Sequence, residues 1–153
     1  MAARTWDNLI IHCSDSSFGS TAVIRQWHLQ RKWRDVGYHF VIPNGYLHKD
    51  FYLSSFDGSV ETGRDLDGDL IAEKMESGAH TYGYNANSIG ICLIGKNVFT
   101  PRQISSLENL VLELCNHFNI KAENIKGHRD LSSKTCPNMD ISWLRDKIKL
   151  IQS

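Results

Sequence analysis

The chain has 153 residues, 41% hydrophobic and 22% charged, with 17 basic and 17 acidic side chains and no net charge at pH 7. That length suits one domain with a core of its own, and the balance of apolar and charged residues is ordinary for a globular protein. A neutral chain offers no field to draw in nucleic acid or an anionic membrane, and no apolar run approaches the ~18 residues of a transmembrane helix.

The first stretch, MAARTWDNLIIHC, carries one Arg ahead of Trp6 and Asp7. It lacks the basic start, long apolar core and small-residue cleavage site of a secretion signal, so synthesis in the cytoplasm is expected. Leu9 to Cys13 reads as a buried strand. Thr21 to Lys32 reads as a helix with Thr21 as its cap and Val23, Ile24, Trp27 and Leu29 on its buried face. Tyr38 to Ile42 predicts a second strand, closed by Pro43-Asn44-Gly45. Tyr46 to Ser55 reads as a hairpin arm, and Ser59 to Gly63 as a short strand after Asp57-Gly58. Ser88 to Gly95 is a strong strand.

Thr100, Pro101 and Gln103 form a capping-box start, and Ile104, Leu107, Leu110, Val111, Leu114 and Phe118 follow at helical spacing. Asn124 to Gly127 predicts a short strand ending just before His128. A last helix is expected from Asp140, as cap, to Ile151. Strands alternating with helices predict an α/β fold: one domain over residues 1–153, with a sheet flanked by helices. No repeat or linker marks a boundary.

Cys13, Cys92, Cys115 and Cys136 are far apart with no C-x-x-C, so no disulfide framework is expected. Cys92 and Cys115 read as small buried hydrophobes. Cys136 differs, because it precedes Pro137 in the polar run GHRDLSSKTCP. That run also holds His128, and His12 lies in LIIHCS near the other end. Two histidines and a cysteine make a three-ligand zinc set, and three protein ligands leave a position open for water, as in catalytic zinc sites. Taken alone, His12 reads sooner as a core histidine bonded to a backbone carbonyl than as a ligand. The His128/Cys136 spacing is not that of a zinc finger.

LIIHCS, IRQWHLQRKWRDVGYHFVI, SGAHTYGYNANSIGICLIG and GHRDLSSKTCP stand in the order seen in zinc-dependent N-acetylmuramoyl-L-alanine amidases. The chain resembles most the small phage lysozymes of that family, which share a fold with peptidoglycan recognition proteins. The resemblance implies a central mixed sheet flanked by helices, with zinc at the floor of a groove at one sheet edge. It implies hydrolysis of the amide between N-acetylmuramic acid and the L-alanine of the stem peptide. It assigns His12, His128 and Cys136 as ligands of one Zn2+ per chain. It assigns Tyr38 and Lys134 as catalytic groups, able to stabilise the oxyanion or relay a proton. It assigns His80, Arg64 and Asn87 to substrate. Arg64 fits a stem-peptide carboxylate or an ion pair with Asp65 or Asp67, and Asn87 fits equally a cap on the loop before its strand.

His39 follows Tyr38 and is expected on the opposite side of its strand. His28, His48 and His117 carry no functional argument, and Trp27 and Trp33 read as core. Asn44 to Asp57 is longer than the tight hairpin expected of the phage enzymes, and Leu66 to Ser77 reads as an acidic flap or surface insertion. The expected partner is peptidoglycan, glycan strand plus stem peptide, met by a monomer with no appended wall-binding domain. The family implies an endolysin held in the host cytoplasm and released by a holin to the periplasmic wall of a Gram-negative host. A cytoplasmic enzyme recycling muropeptides is the alternative within the same chemistry. A non-catalytic peptidoglycan-binding module is disfavoured, because such relatives typically lack the cysteine ligand. A Cys-nucleophile hydrolase is the remaining class, and its activity would survive chelation.

Overall fold

The structure, a computed structural model, describes residues 6–32, 37–63, 87–130 and 137–153. Its elements in order are β1 (Asn8–Cys13), α1 (Thr21–Gln30), β2 (Phe40–Ile42), β3 (Tyr46–His48), β4 (Phe51–Tyr52), β5 (Glu61–Thr62), β6 (Ser88–Leu93), α2 (Pro101–Phe118), β7 (Ile125–Gly127) and α3 (Ser142–Gln152). The main sheet has the order β5-β2-β6-β1-β7. β1 runs parallel to both β6 and β7, β2 runs parallel to β6, and β5 is antiparallel to β2. This is the sheet flanked by helices that the alternating pattern predicts, and the mixed sheet that the resemblance implies. β1 and β6 are inner strands covered on both faces, which is why they read as nearly continuous apolar runs.

Side chains alternate between faces along each strand. Leu9, Ile11, Ile89 and Ile91 point toward the large core, which they share with Leu107 and Val111 of α2 and Leu144 and Ile148 of α3. The opposite face carries a small cluster of Val41, Cys92, Ile94 and, from α1, Ile24, with Trp27 and Tyr38 packed against it. α2 starts as expected. Thr100 accepts from the N–H of Gln103, and the Gln103 side chain accepts from the N–H of Thr100. The buried Gln103 amide also donates to the carbonyls of Ile42 and Ile94, each at 2.9 Å, so the cap ties α2 to the ends of β2 and β6.

Several boundaries differ from the sequence expectation. Ser20, not Thr21, caps α1 by accepting from Val23 N–H. The buried face of α1 is Thr21, Ile24 and His28, while Leu29 is 48% exposed. Spacing of three then four residues defines that stripe, and Leu29 falls one residue out of phase. The ladder of β2 starts at Phe40, two residues after Tyr38. Among the described residues β3 and β4 pair only with each other. Ile141 stands at the cap of α3, but Asp140 performs the capping, accepting from the Ser142 N–H at 3.0 Å and hydroxyl at 2.8 Å. Those bonds hold the Asp140 carboxyl below its usual range. The stretch Leu66 to Ser77 lies outside the described residues. Among the described residues no helix is long and apolar enough to cross a membrane.

Candidate metal centre and active site

His12 is the fifth residue of β1 and is 1% exposed. Its register partner on β6 is Cys92, which in turn aligns with Val41 of β2. Neighbours in register share a face, so His12 points to the α1 side of the sheet, away from the large core. On its other flank β1 pairs with β7, where Ile11 aligns with Gly127. One step further along both strands brings His128 level with His12. The two imidazole centroids are 4.6 Å apart, tilted by 58°. Both residues lie at the carboxyl ends of parallel strands, where open α/β sheets place their ligands.

The turn that carries His128 is braced. Asp130 accepts from the Gly127 N–H at 2.9 Å and stands 3.6 Å from the Arg145 guanidinium of α3. Gly127 leaves room for Pro137, whose Cδ lies 3.0 Å from where a Cβ at 127 would sit. Pro137 is the chain neighbour of Cys136. Asn138, in the left-handed region at φ 63°, donates to the Lys96 carbonyl at 2.6 Å and to Cys13 Sγ at 3.6 Å. The chain therefore re-enters the described structure against the strand end that carries His128.

Tyr38 completes the cluster. Its ring centroid is 5.1 Å from that of His12 and 5.7 Å from that of His28. Burial pushes the Cys92 thiol well above its ordinary range; Cys13 adds to the rise, and a hydrogen bond with Tyr38 opposes it. That bond sets the Tyr38 hydroxyl beside Cys92, in the register row of His12.

The donor set suits a metal. Two imidazoles on one tetrahedral zinc, each nitrogen ~2.0–2.1 Å from it, have ring centres about 5 Å apart. The observed 4.6 Å is close to that. Among the described residues no third His, Cys, Asp or Glu joins the pair. The expected third ligand, Cys136, lies outside the described residues, as do Lys134, His80 and Arg64.

Asn87 is placed elsewhere. It precedes β6 at the amino end of that strand, five residues before Cys92 and so roughly 17 Å from the level of His12. Its amide donates to Asp7 at 3.3 Å, its side-chain oxygen accepts from Ser88, and its carbonyl accepts from the N–H groups of Asp7 and Asn8. It pins the start of β1 to the start of β6 and has no part in the His12 cluster.

Sequence reasoning left out His28. It is 7% exposed, and its Nδ1 accepts from the Gly37 N–H at 2.8 Å. The signal was its place in the stripe of Thr21 and Ile24. The ring of His39 stands edge-on to Trp6, with centroids 5.1 Å apart.

Known proteins share the family and the fold of this chain. The N-acetylmuramoyl-L-alanine amidase family matches residues 2–139. The endolysin of Enterobacteria phage T3 is 34% identical over 160 residues, covering 97% of this chain and 91% of that protein. The solved structure of N-acetylmuramoyl-L-alanine amidase LysC from Clostridium intestinale URNW superposes with a TM-score of 0.70 at 28% identity, covering 99% of this chain and 88% of that one. Wild-type Drosophila PGRP-LB gives a TM-score of 0.66 at 26% identity, over 88% of this chain and 75% of that one. The family match and the fold make this chain an amide hydrolase of the endolysin and peptidoglycan recognition protein superfamily. The chain belongs to the N-acetylmuramoyl-L-alanine amidase family.

Proposed function

We propose that this chain cleaves the bond between N-acetylmuramic acid and L-alanine in peptidoglycan with one zinc ion held by His12, His128 and Cys136. The observation that carries the reading is the register of β1 and β7, which sets two imidazoles 4.6 Å apart at the strand ends, with Tyr38 against one of them. Zinc bound there would supply Lewis-acid polarisation of the scissile carbonyl and a water whose pKa is lowered to roughly 7.

The protein's own groups supply the rest. The thiol of Cys136 binds as thiolate, and His12 and His128 as neutral imidazoles. The hydroxyl of Tyr38 and the ammonium of Lys134 are the donors for the oxyanion, and the leaving amine takes its proton from one of them or from water. Arg64 and His80 are the substrate contacts of this reading. The likeness to the endolysins of enterobacterial phages supports a role in lysis of a Gram-negative host, with its peptidoglycan as the substrate.

The test is digestion of purified peptidoglycan with and without chelator. The reading expects new L-alanine amino termini, no new reducing sugars, and loss of both activity and zinc on chelation. Cleavage that survives chelation contradicts it and brings the cysteines forward as nucleophiles.

A further inference from the structure

We propose that His28 and His39 are positioning residues for Tyr38, each fixing the backbone on one side of it by accepting an N–H on its Nδ1. This rests on the role of Tyr38 in the reading above.

Tyr38 lies before the regular ladder of β2, which begins at Phe40. Tyr38 itself lies outside the β2 register pairs, so the residues on either side of it hold it. The residue before it is held from α1: the Gly37 N–H donates to His28 Nδ1 at 2.8 Å. The residue after it is held from β6. The His39 N–H donates to the Gly90 carbonyl at 3.0 Å, and the Gly90 N–H donates back to His39 Nδ1 at 3.0 Å. The His39 carbonyl also accepts from the Gly63 N–H at 2.7 Å. His28 and His39 are 7% and 0% exposed. Buried N–H groups need acceptors, so these two imidazoles are structural partners of the backbone.

Accepting on Nδ1 requires a lone pair there, so each ring is neutral with its proton on Nε2. His28 belongs to the α1 side, its ring 5.7 Å from that of Tyr38, while His39 packs against Trp6 of the large core. Tyr38 is thus held through the residue on either side of it, from α1 and from β6, and its ring is left beside His12. Positional control of this kind governs rate, because a catalytic group misplaced by about 1 Å loses on the order of 10²-fold.

The test pairs a truncation with an isosteric rescue at each site. His28→Ala removes the acceptor, whereas His28→Asn can return an oxygen to the place of Nδ1. The zinc-loaded His28→Ala enzyme is expected to lose roughly 10²-fold in kcat, with KM and zinc content unchanged. His28→Asn is expected to recover most of that loss. The Gly37 amide should exchange slowly in the wild type and in His28→Asn, and fast in His28→Ala. His39→Ala and His39→Asn should behave alike at the Gly90 amide. In a Tyr38→Phe background, His28→Ala should cost no further rate, because it acts through the tyrosine.

A His28→Ala enzyme with wild-type kcat overturns the proposal, as does a full additional loss in the Tyr38→Phe background. If His28→Ala does not fold, fast exchange of Gly37 in the wild type or in His28→Asn overturns it. Tyr38→Phe at the wild-type rate refutes the role of Tyr38 itself, and exchange at Gly37 and Gly90 then judges the two clamps alone. Zinc content judges the metal reading separately.

Discussion

The face of the sheet toward α2 and α3 is lined by Leu9, Ile11, Ile89 and Ile91, and it packs two amphipathic helices against an apolar layer. The face toward α1 carries, among the described residues, a smaller apolar cluster of Val41, Cys92 and Ile94 with Ile24 of α1, and beside it stand His12, His28 and Tyr38, with His128 at the end of β7. The same strands supply both faces by alternation, so one residue of β1 serves the core and the next serves the site. Ile11 and His12 are adjacent in sequence and lie in different environments. Stability and chemistry are therefore separable in this fold, one to each side of a single sheet.

Substitutions can test that separation from either side. The largest effect is expected on the α1 face: His12→Ala should abolish peptidoglycan cleavage, with loss of metal, while the chain still folds around its larger core. Circular dichroism with a cleavage assay checks both parts. Lys134→Ala should keep zinc and lose on the order of 10²–10³ in kcat, the effect of removing one oxyanion donor. An unchanged rate would defeat that role.

On the other face Leu107→Ala empties a fully buried site between α2 and the sheet. It should cost about 2–5 kcal/mol of unfolding free energy with kcat unchanged in the folded enzyme. Chemical denaturation and turnover, measured on one preparation, check this. A Leu107→Ala enzyme that is stable but slow would erase the distinction between the faces.

The smallest effect is a pH dependence. Burial raises the Cys115 thiol from 9.0 to about 11. The thiol therefore stays protonated in the folded chain at a pH where the unfolded chain has lost its proton. Its contribution to stability is full below pH 9 and is lost as pH rises toward about 11. Wild type should lose more stability over that window than Cys115→Ala, and equal slopes would contradict it.

Much of this was legible in the residues, and unevenly so. Long apolar runs gave β1 and β6 because strands buried on both faces cannot be polar at either parity. α2 was readable to the residue, because Thr100, Pro101 and Gln103 each fill a backbone need at its start. α1 was readable in extent but not in phase. A helix covering a small core needs only a narrow stripe, and Leu29 competes with His28 for it by composition alone.

The pairing of His12 with His128 follows from strand register, a fact that no local pattern carries. β7 is three residues long, and its alignment with β1 is set by tertiary packing. Tyr38 was recognised in DVGYHF, but the histidines that hold it were not, since a buried acceptor for a backbone N–H has no sequence signature. Asn87 shows the converse. Its neighbourhood in sequence pointed to substrate as readily as to a cap, and the direction of β6 carries it to the far end of the sheet.

The central claim is that His12, His128 and Cys136 form one zinc site on the α1 face. Zinc per chain, measured after dialysis for the wild type, His128→Ala and Cys136→Ser, tests it most directly. The account predicts about one zinc in the wild type and loss of tightly held metal in both variants, each still folded. Wild-type zinc content in either variant would contradict it.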